Sequence, residues 1–196
     1  SDKILIIEKL LDVADNIIIG GGMSYTFAKA EGGQIGNSLC QNDLLEYTNE
    51  LREKAEAKGV KLIFPIDNLI GDDFSNNANT QIVLKGTIPE NWEGFDIGPQ
   101  TRELFSNVIK ESKTVIWNGP MGVSEIPLYA EGTIQIAKAV KEATENGAFS
   151  LIGGGDSAAA INNLGFGEDV SYVSTGGGAL LEYMEGKVLP GIAALS

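Results

Sequence analysis

Short runs of β-branched and aromatic residues alternate along this chain with longer stretches whose apolar positions recur at helical spacing. Residues 1 to about 14 carry Ile4, Ile7, Leu10 and Leu11 behind an N-cap candidate, which predicts an amphipathic helix. Asn16 to Ile19 reads as a strand, and Met23 to Ala30 as a helix. A loop at 32–38 precedes a helix from about Asp43 to Lys58 that Gly59 closes. Val60 to Phe64 is a second buried strand, limited by Pro65. From Asp67 to Gly98 the periodicity fades into polar clusters around one strand at Gln81 to Leu84, so this segment is expected to be an excursion from the main sheet. The alternation then resumes with helix Pro99 to Ser112, strand Thr114 to Trp117 and helix Pro127 to Glu145. A strand from Phe149, a helix after it, strand Ser171 to Ser174 and a last helix to about Glu185 complete the pattern. Strands of four or five residues alternating with longer helices predict right-handed βαβ units: an α/β fold with a parallel sheet covered on both faces.

Four of these strands run into glycine-rich turns: Gly20-Gly21-Gly22, Asn118-Gly119-Pro120-Met121-Gly122, Gly153-Gly154-Gly155 and Thr175-Gly176-Gly177-Gly178. In an open parallel sheet all such turns lie along the carboxyl edge, where ligands bind. Bare N–H groups at a helix start form a seat for phosphate. Asp156, directly after the third turn, would repel a polyphosphate unless a cation stood between them, and the usual hard cation there is Mg²⁺. Taken singly, each turn has a plainer reading as turn chemistry, with Asp156 or Ser157 as an N-cap. The repetition favours a metal–nucleotide site.

Composition narrows the options. At 196 residues and 43% apolar content the chain fills one globular domain, 1–196. A formal charge of −13, with Arg52 and Arg102 as the only arginines, argues against nucleic-acid binding, and the lack of histidine removes histidine-based mechanisms. The lone Cys40 and the absence of an apolar run of about 20 residues predict a soluble cytoplasmic protein without membrane contact.

The motifs Ser1-Asp2-Lys3-Ile4, Ile18 to Met23, Trp117 to Val123, Gly153 to Ala158 and Ser174 to Ala179, closed by Glu185-Gly186-Lys187 and Leu189-Pro190-Gly191, resemble the C-terminal half of phosphoglycerate kinase. The resemblance runs from Ser1 to about Leu195. It implies a Rossmann-like three-layer αβα domain that binds Mg²⁺ with ADP or ATP. The enzyme it implies moves a phosphoryl group between 1,3-bisphosphoglycerate and ADP in glycolysis. By the same resemblance Lys3 reaches the nucleotide phosphates, Gly21 and Gly22 lie against the adenine with Gly94 and Phe95, and Asn118 and Glu125 serve phosphates and ribose. Gly154, Gly155, Asp156 and Ser157 form the phosphate and Mg²⁺ site, with Asp156 the metal ligand. Thr175 to Gly178 face the transferred group, so that Lys3, Gly154 and Gly177 are the implied catalytic residues. Phosphoryl transfer asks chiefly for alignment and positive potential, which amides, a lysine and a metal supply.

Against the family pattern, the N-terminal domain that holds phosphoglycerate has no counterpart here, nor has the strand ending in Gly-Gly-Ala-Lys before Ser1. The expectation is half of a longer kinase without turnover by itself, monomeric at full length. Its sheet should carry an unpaired edge or apolar groove that favours self-association. Ser124 stands where Phe is usual, which bears on packing beside Glu125, and Gln100, Asp73 and Leu180 are further departures. A non-catalytic nucleotide-binding module and an interaction domain are the competing readings.

Overall fold

The computed structural model describes residues 2–174 and 192–195. Its frame is a six-stranded parallel sheet built from β1 (Asn16–Ile18), β3 (Lys61–Ile63), β8 (Thr114–Asn118), β9 (Phe149–Gly153), β10 (Tyr172–Ser174) and β11 (Ile192–Leu195). The strand order is β10-β9-β8-β11-β1-β3. One row of paired residues crosses all six strands: Ile63, Ile18, Leu195, Trp117, Ile152 and Val173. The strands therefore end at one level. Asn118, Gly153 and Ser174 stand side by side in the next row, and Gly20 follows two residues after Ile18.

Alternation along the strands sorts the core into two layers. Ile17, Ile19, Ile116 and Leu151 pack with Ile7, Leu10 and Leu11 around α1 (Asp2–Leu10), with Phe27 of α2 (Gly21–Ala30) and with Leu51 of α3 (Leu45–Ala57). Ile18, Val115, Trp117 and Ile152 point the other way. They meet Phe105 and Ile109 of α4 (Pro99–Lys110), Ile136 and Val140 of α5 (Glu131–Glu145) and Ile161 of α6 (Gly155–Asn163). Strands buried on both faces need apolar residues at every position, which is why these segments read as short continuous runs. The fold is the expected αβα sandwich.

The segment 67–98 leaves the main sheet as expected, and two features go beyond the sequence reading. The segment 67–98 holds more order than its polarity suggests. β4 (Asp67–Gly71), β5 (Thr80–Leu84) and β7 (Glu93–Ile97) form an antiparallel sheet of order β5-β4-β7, while β2 (Gln34–Ile35) pairs in parallel with β6 (Thr87–Ile88). Its periodicity is hidden because β5 is exposed almost throughout and the β4–β7 register shifts between Leu69 and Ile70. The second feature lies within the main sheet. β11, which carried no strand prediction, lies between β1 and β8 and pairs with both, so the hydrogen-bonding groups of those strands meet partners on that side. The helix expected up to Glu185 and the turn at Thr175–Gly178 lie outside the described residues.

Candidate functional site

Because the strands end level, the loops leaving β1, β8 and β9 touch one another. Trp117, fully buried, donates its Nε1–H to the Gly119 carbonyl at 2.6 Å and fixes the start of the turn after β8. The Gly119 N–H donates to Ser157 Oγ at 2.5 Å, joining that turn to the first turn of α6. Gly154, which caps α6, has φ 90° and ψ 148°, a conformation open to glycine and strained for any other residue. A Cβ there would stand 2.6 Å from Asn118 Oδ1. On the other flank a Cβ at Gly20 would come within 2.7 Å of Met121 Sδ, so the glycine turn that opens α2 abuts the Pro120-Met121 segment.

Among the described residues the helix start is bare: no side chain caps α6, a Cβ at Gly155 would meet nothing within 4 Å, and Gly155 and Asp156 are exposed. Unpaired N–H groups at the positive end of a helix dipole, open to solvent at the strand tips, are suited to an anion. Beside them lies a cleft of about 250 Å³ between α5 and α6, lined by Asp156, Asn163, Thr133, Ile134, Ser124 and Glu125 among others.

The 122–132 segment, which carries Ser124 and Glu125, is laid over β7. Val123 N–H donates to the Phe95 carbonyl at 2.9 Å, and Met121 N–H to Thr133 Oγ1 at 3.1 Å. Beneath it Asp96, 1% exposed, accepts the Gly132 N–H at Oδ2 and the Ile97 N–H at Oδ1, each at 2.8 Å. Burial pushes Asp96 up to about 7, against the opposing pull of those two N–H groups and of Arg102.

The structure thus brings Gly21, Gly22, Asn118, Glu125, Gly154, Gly155, Asp156 and Ser157 to one edge. Their surroundings in the structure differ from one residue to the next. Ser157 is buried and its hydroxyl accepts from Gly119, so it ties the loops together. Gly94 and Phe95 lie behind the 122–132 segment and do not line the cleft. Gly94 donates its N–H to Ser38 Oγ at 2.8 Å and leaves no room for a side chain beside Tyr25, while the Phe95 ring is buried against Tyr129, with centroids 4.5 Å apart. Lys3 belongs to the first turn of α1, with its side chain outside the described residues, and Gly177 lies outside them altogether. Asp96 carried no prediction. Its one signal is a charged residue in an otherwise apolar strand end, Gly94-Phe95-Asp96-Ile97.

A Mg²⁺ ion fits this donor set only in partnership with a ligand. Among the described residues no group of three or more carboxylate, thiol or imidazole side chains gathers. Asp156 nevertheless stands exposed beside a bare helix start, and one or two carboxylates plus phosphate oxygens and waters are what Mg²⁺ commonly takes.

Comparison with known proteins matches this arrangement to one family. The phosphoglycerate kinase family model covers residues 1–187. A phosphoglycerate kinase of Clostridium novyi (strain NT) is 53% identical over all 196 residues, and one of Clostridium botulinum (strain 657 / Type Ba4) is 54% identical. In both the match takes in 48% of the relative, so the chain spans about half the length of the curated relatives it matches. The phosphoglycerate kinase structure from Coxiella burnetii superposes with a TM-score of 0.87 at 41% identity, over 94% of this chain and 47% of the other. That from Pyrococcus horikoshii OT3 gives 0.73 at 27%, over 96% and 47%. With the fold, the strand-tip turns and the sequence in agreement, the chain belongs to the phosphoglycerate kinase family.

Proposed function

We propose that this chain, as a single domain, is the nucleotide-binding half of a cytoplasmic phosphoglycerate kinase. It takes Mg²⁺ with ADP or ATP at the carboxyl edge of its sheet for the glycolytic exchange of a phosphoryl group with 1,3-bisphosphoglycerate. The observation that carries the reading is the convergence of the turns after β8 and β9 on one helix start: Gly119 bonded to Ser157, Gly154 against Asn118, and Gly155 with no neighbour among the described residues where a side chain would stand.

In this reading the amides of Gly155 and Asp156 bind and orient the phosphates, at the point where the helix dipole favours negative charge. Asp156 holds the metal, and Mg²⁺ when bound neutralises charge that develops on the phosphates. Glu125, exposed on the far wall of the cleft, accepts hydroxyls of the sugar. Gly21 and Gly22, with little side-chain bulk beside Pro120, leave a flat approach for the base. Lys3 and the turn at Gly177 supply positive potential and amides to the group in transit. The phosphoglycerate side of the reaction belongs to the remainder of a longer protein, so this chain alone binds nucleotide without turning it over.

Titration calorimetry with ADP in the presence and absence of Mg²⁺ tests the reading. Saturable, metal-strengthened heat is expected; a chain that gives no heat with either ligand overturns it. Phosphoryl transfer restored on adding the N-terminal domain of a family member would extend the result to the enzyme.

A further inference from the structure

Resting on that reading, we infer that Asp96 is a positioning residue: its carboxylate pins the Gly132 end of the 122–132 segment, beside the Phe95 carbonyl that holds the other end, and so sets Glu125 across the cleft from Asp156. The two ends of the segment meet at Phe95-Asp96, one on the Asp96 carboxylate and the other on the Phe95 carbonyl. At the far end, Gly132 N–H, in the first turn of α5, donates to Oδ2. At the near end, Gly122 lies so close that a Cβ would be 2.6 Å from Oδ1, and the neighbouring Val123 N–H bonds the Phe95 carbonyl. The remaining bond, from Ile97 N–H to Oδ1, holds the carboxylate in the plane that serves Gly132. The segment between is a closed loop hung from β7, with Glu125 exposed on it.

The device depends on ionisation. An ionised carboxylate accepts from N–H groups on both oxygens and complements the positive start of α5, while protonation removes the charge and turns one oxygen into a donor facing a donor. The groups around it set where that happens. Arg102 of α4 favours the charge and Glu131 at the start of α5 opposes it. From α2, Tyr25 is held protonated by burial, with Asp96 and Glu93 adding to the effect. β4 offers Asp67, whose carboxylate is occupied at the start of α4. The overlying segment itself contributes Tyr129, stacked on Phe95, and the solvent-facing Glu125.

An amide NMR titration of the wild-type chain from pH 5 to 9 requires no variant. Gly132 and Ile97 are expected to shift with one midpoint near neutrality, and Val123, Ser124 and Glu125 with the same midpoint. If Gly132 moves while residues 123–125 stay still, the pinning is overturned. In Mg·ADP titrations Asp96→Asn is expected to weaken binding about tenfold, an effect that shrinks to less than about twofold in a Glu125→Ala background because Asp96 acts through Glu125. Fully additive losses overturn the role. Should Asp96→Asn fail to fold, the wild-type titration still decides, and it also decides if the wild-type chain binds no nucleotide, a result that would sink the nucleotide reading alone.

Discussion

A methyl group at position 154 would stand in the gap between two turns, where the backbone is already in a region closed to other residues. Gly154→Ala is therefore expected to cost about 1–3 kcal/mol in urea denaturation, the usual cost of a forced backbone conformation. A variant as stable as the parent would show that the turn relaxes freely. Asp156, by contrast, is exposed and carries little of the fold. Asp156→Ala should leave melting unchanged and remove ~1–3 kcal/mol of the Mg²⁺-dependent part of ADP affinity, the scale of a lost charged partner. Equal affinities with and without metal in both proteins would take Asp156 out of the site. Asp96 is the residue whose titration bears on stability. Its pKa in the folded chain, about 7, lies above the ordinary value of 3.8, so folding favours the protonated form. Its contribution is then complete below about pH 4 and is lost as pH rises through about 7. Asp96→Asn should flatten the stability–pH curve across that window in denaturant melts, and an unchanged slope would assign the titration to another group.

At the level of elements, the starts of α4 and α5 are secured from a distance, unlike that of α6. Asp67, at the start of β4, receives the N–H groups of Gln100 and Thr101 at 3.0 and 2.9 Å and binds Thr101 Oγ1, so the first turn of α4 is capped by a strand 33 residues away. Asp67→Ala should cost about 0.5–2 kcal/mol for the cap, with more added by the buried donors left unpaired, as read from chemical denaturation. An Asp67→Ala chain within a few tenths of wild type would mean that water replaces the cap. Such long-range caps explain what was legible in the chain. Amphipathic spacing revealed α4 and α5, and apolar runs revealed β1, β8 and β9, because those signals are local. β4 and β7 begin or end in polar residues that bond to distant helices, so their partners are visible only in three dimensions. The candidate site divides along the same line: the glycine turns and Asp156 announce themselves by type and spacing. Ser157 as a tie between loops and Asp96 beneath the 122–132 segment depend on which strands become neighbours. β11, four residues of Ile-Ala-Ala-Leu, is too short to carry a period of its own.

For the whole molecule, β11 is the keystone of the sheet, paired on one side with β1 and on the other with β8. Deleting residues 192–196 should bare the facing edges of both strands, with a broadened thermal transition and association seen by light scattering. A truncated chain that stays monomeric and melts sharply would show that the two halves of the sheet close on each other. A last consequence follows from two carboxylates, Glu125 and Asp156, facing the same cleft on a chain of net charge −13. The molecule's field opposes the approach of the polyanion proposed to bind at its helix start, so encounter rates should rise with ionic strength, opposite to the steering of ligands by complementary charge. Stopped-flow mixing should find the acceleration steeper for free ADP than for its magnesium complex, an outcome that would make the cation an escort through the repulsive field as well as the proposed ligand at its end.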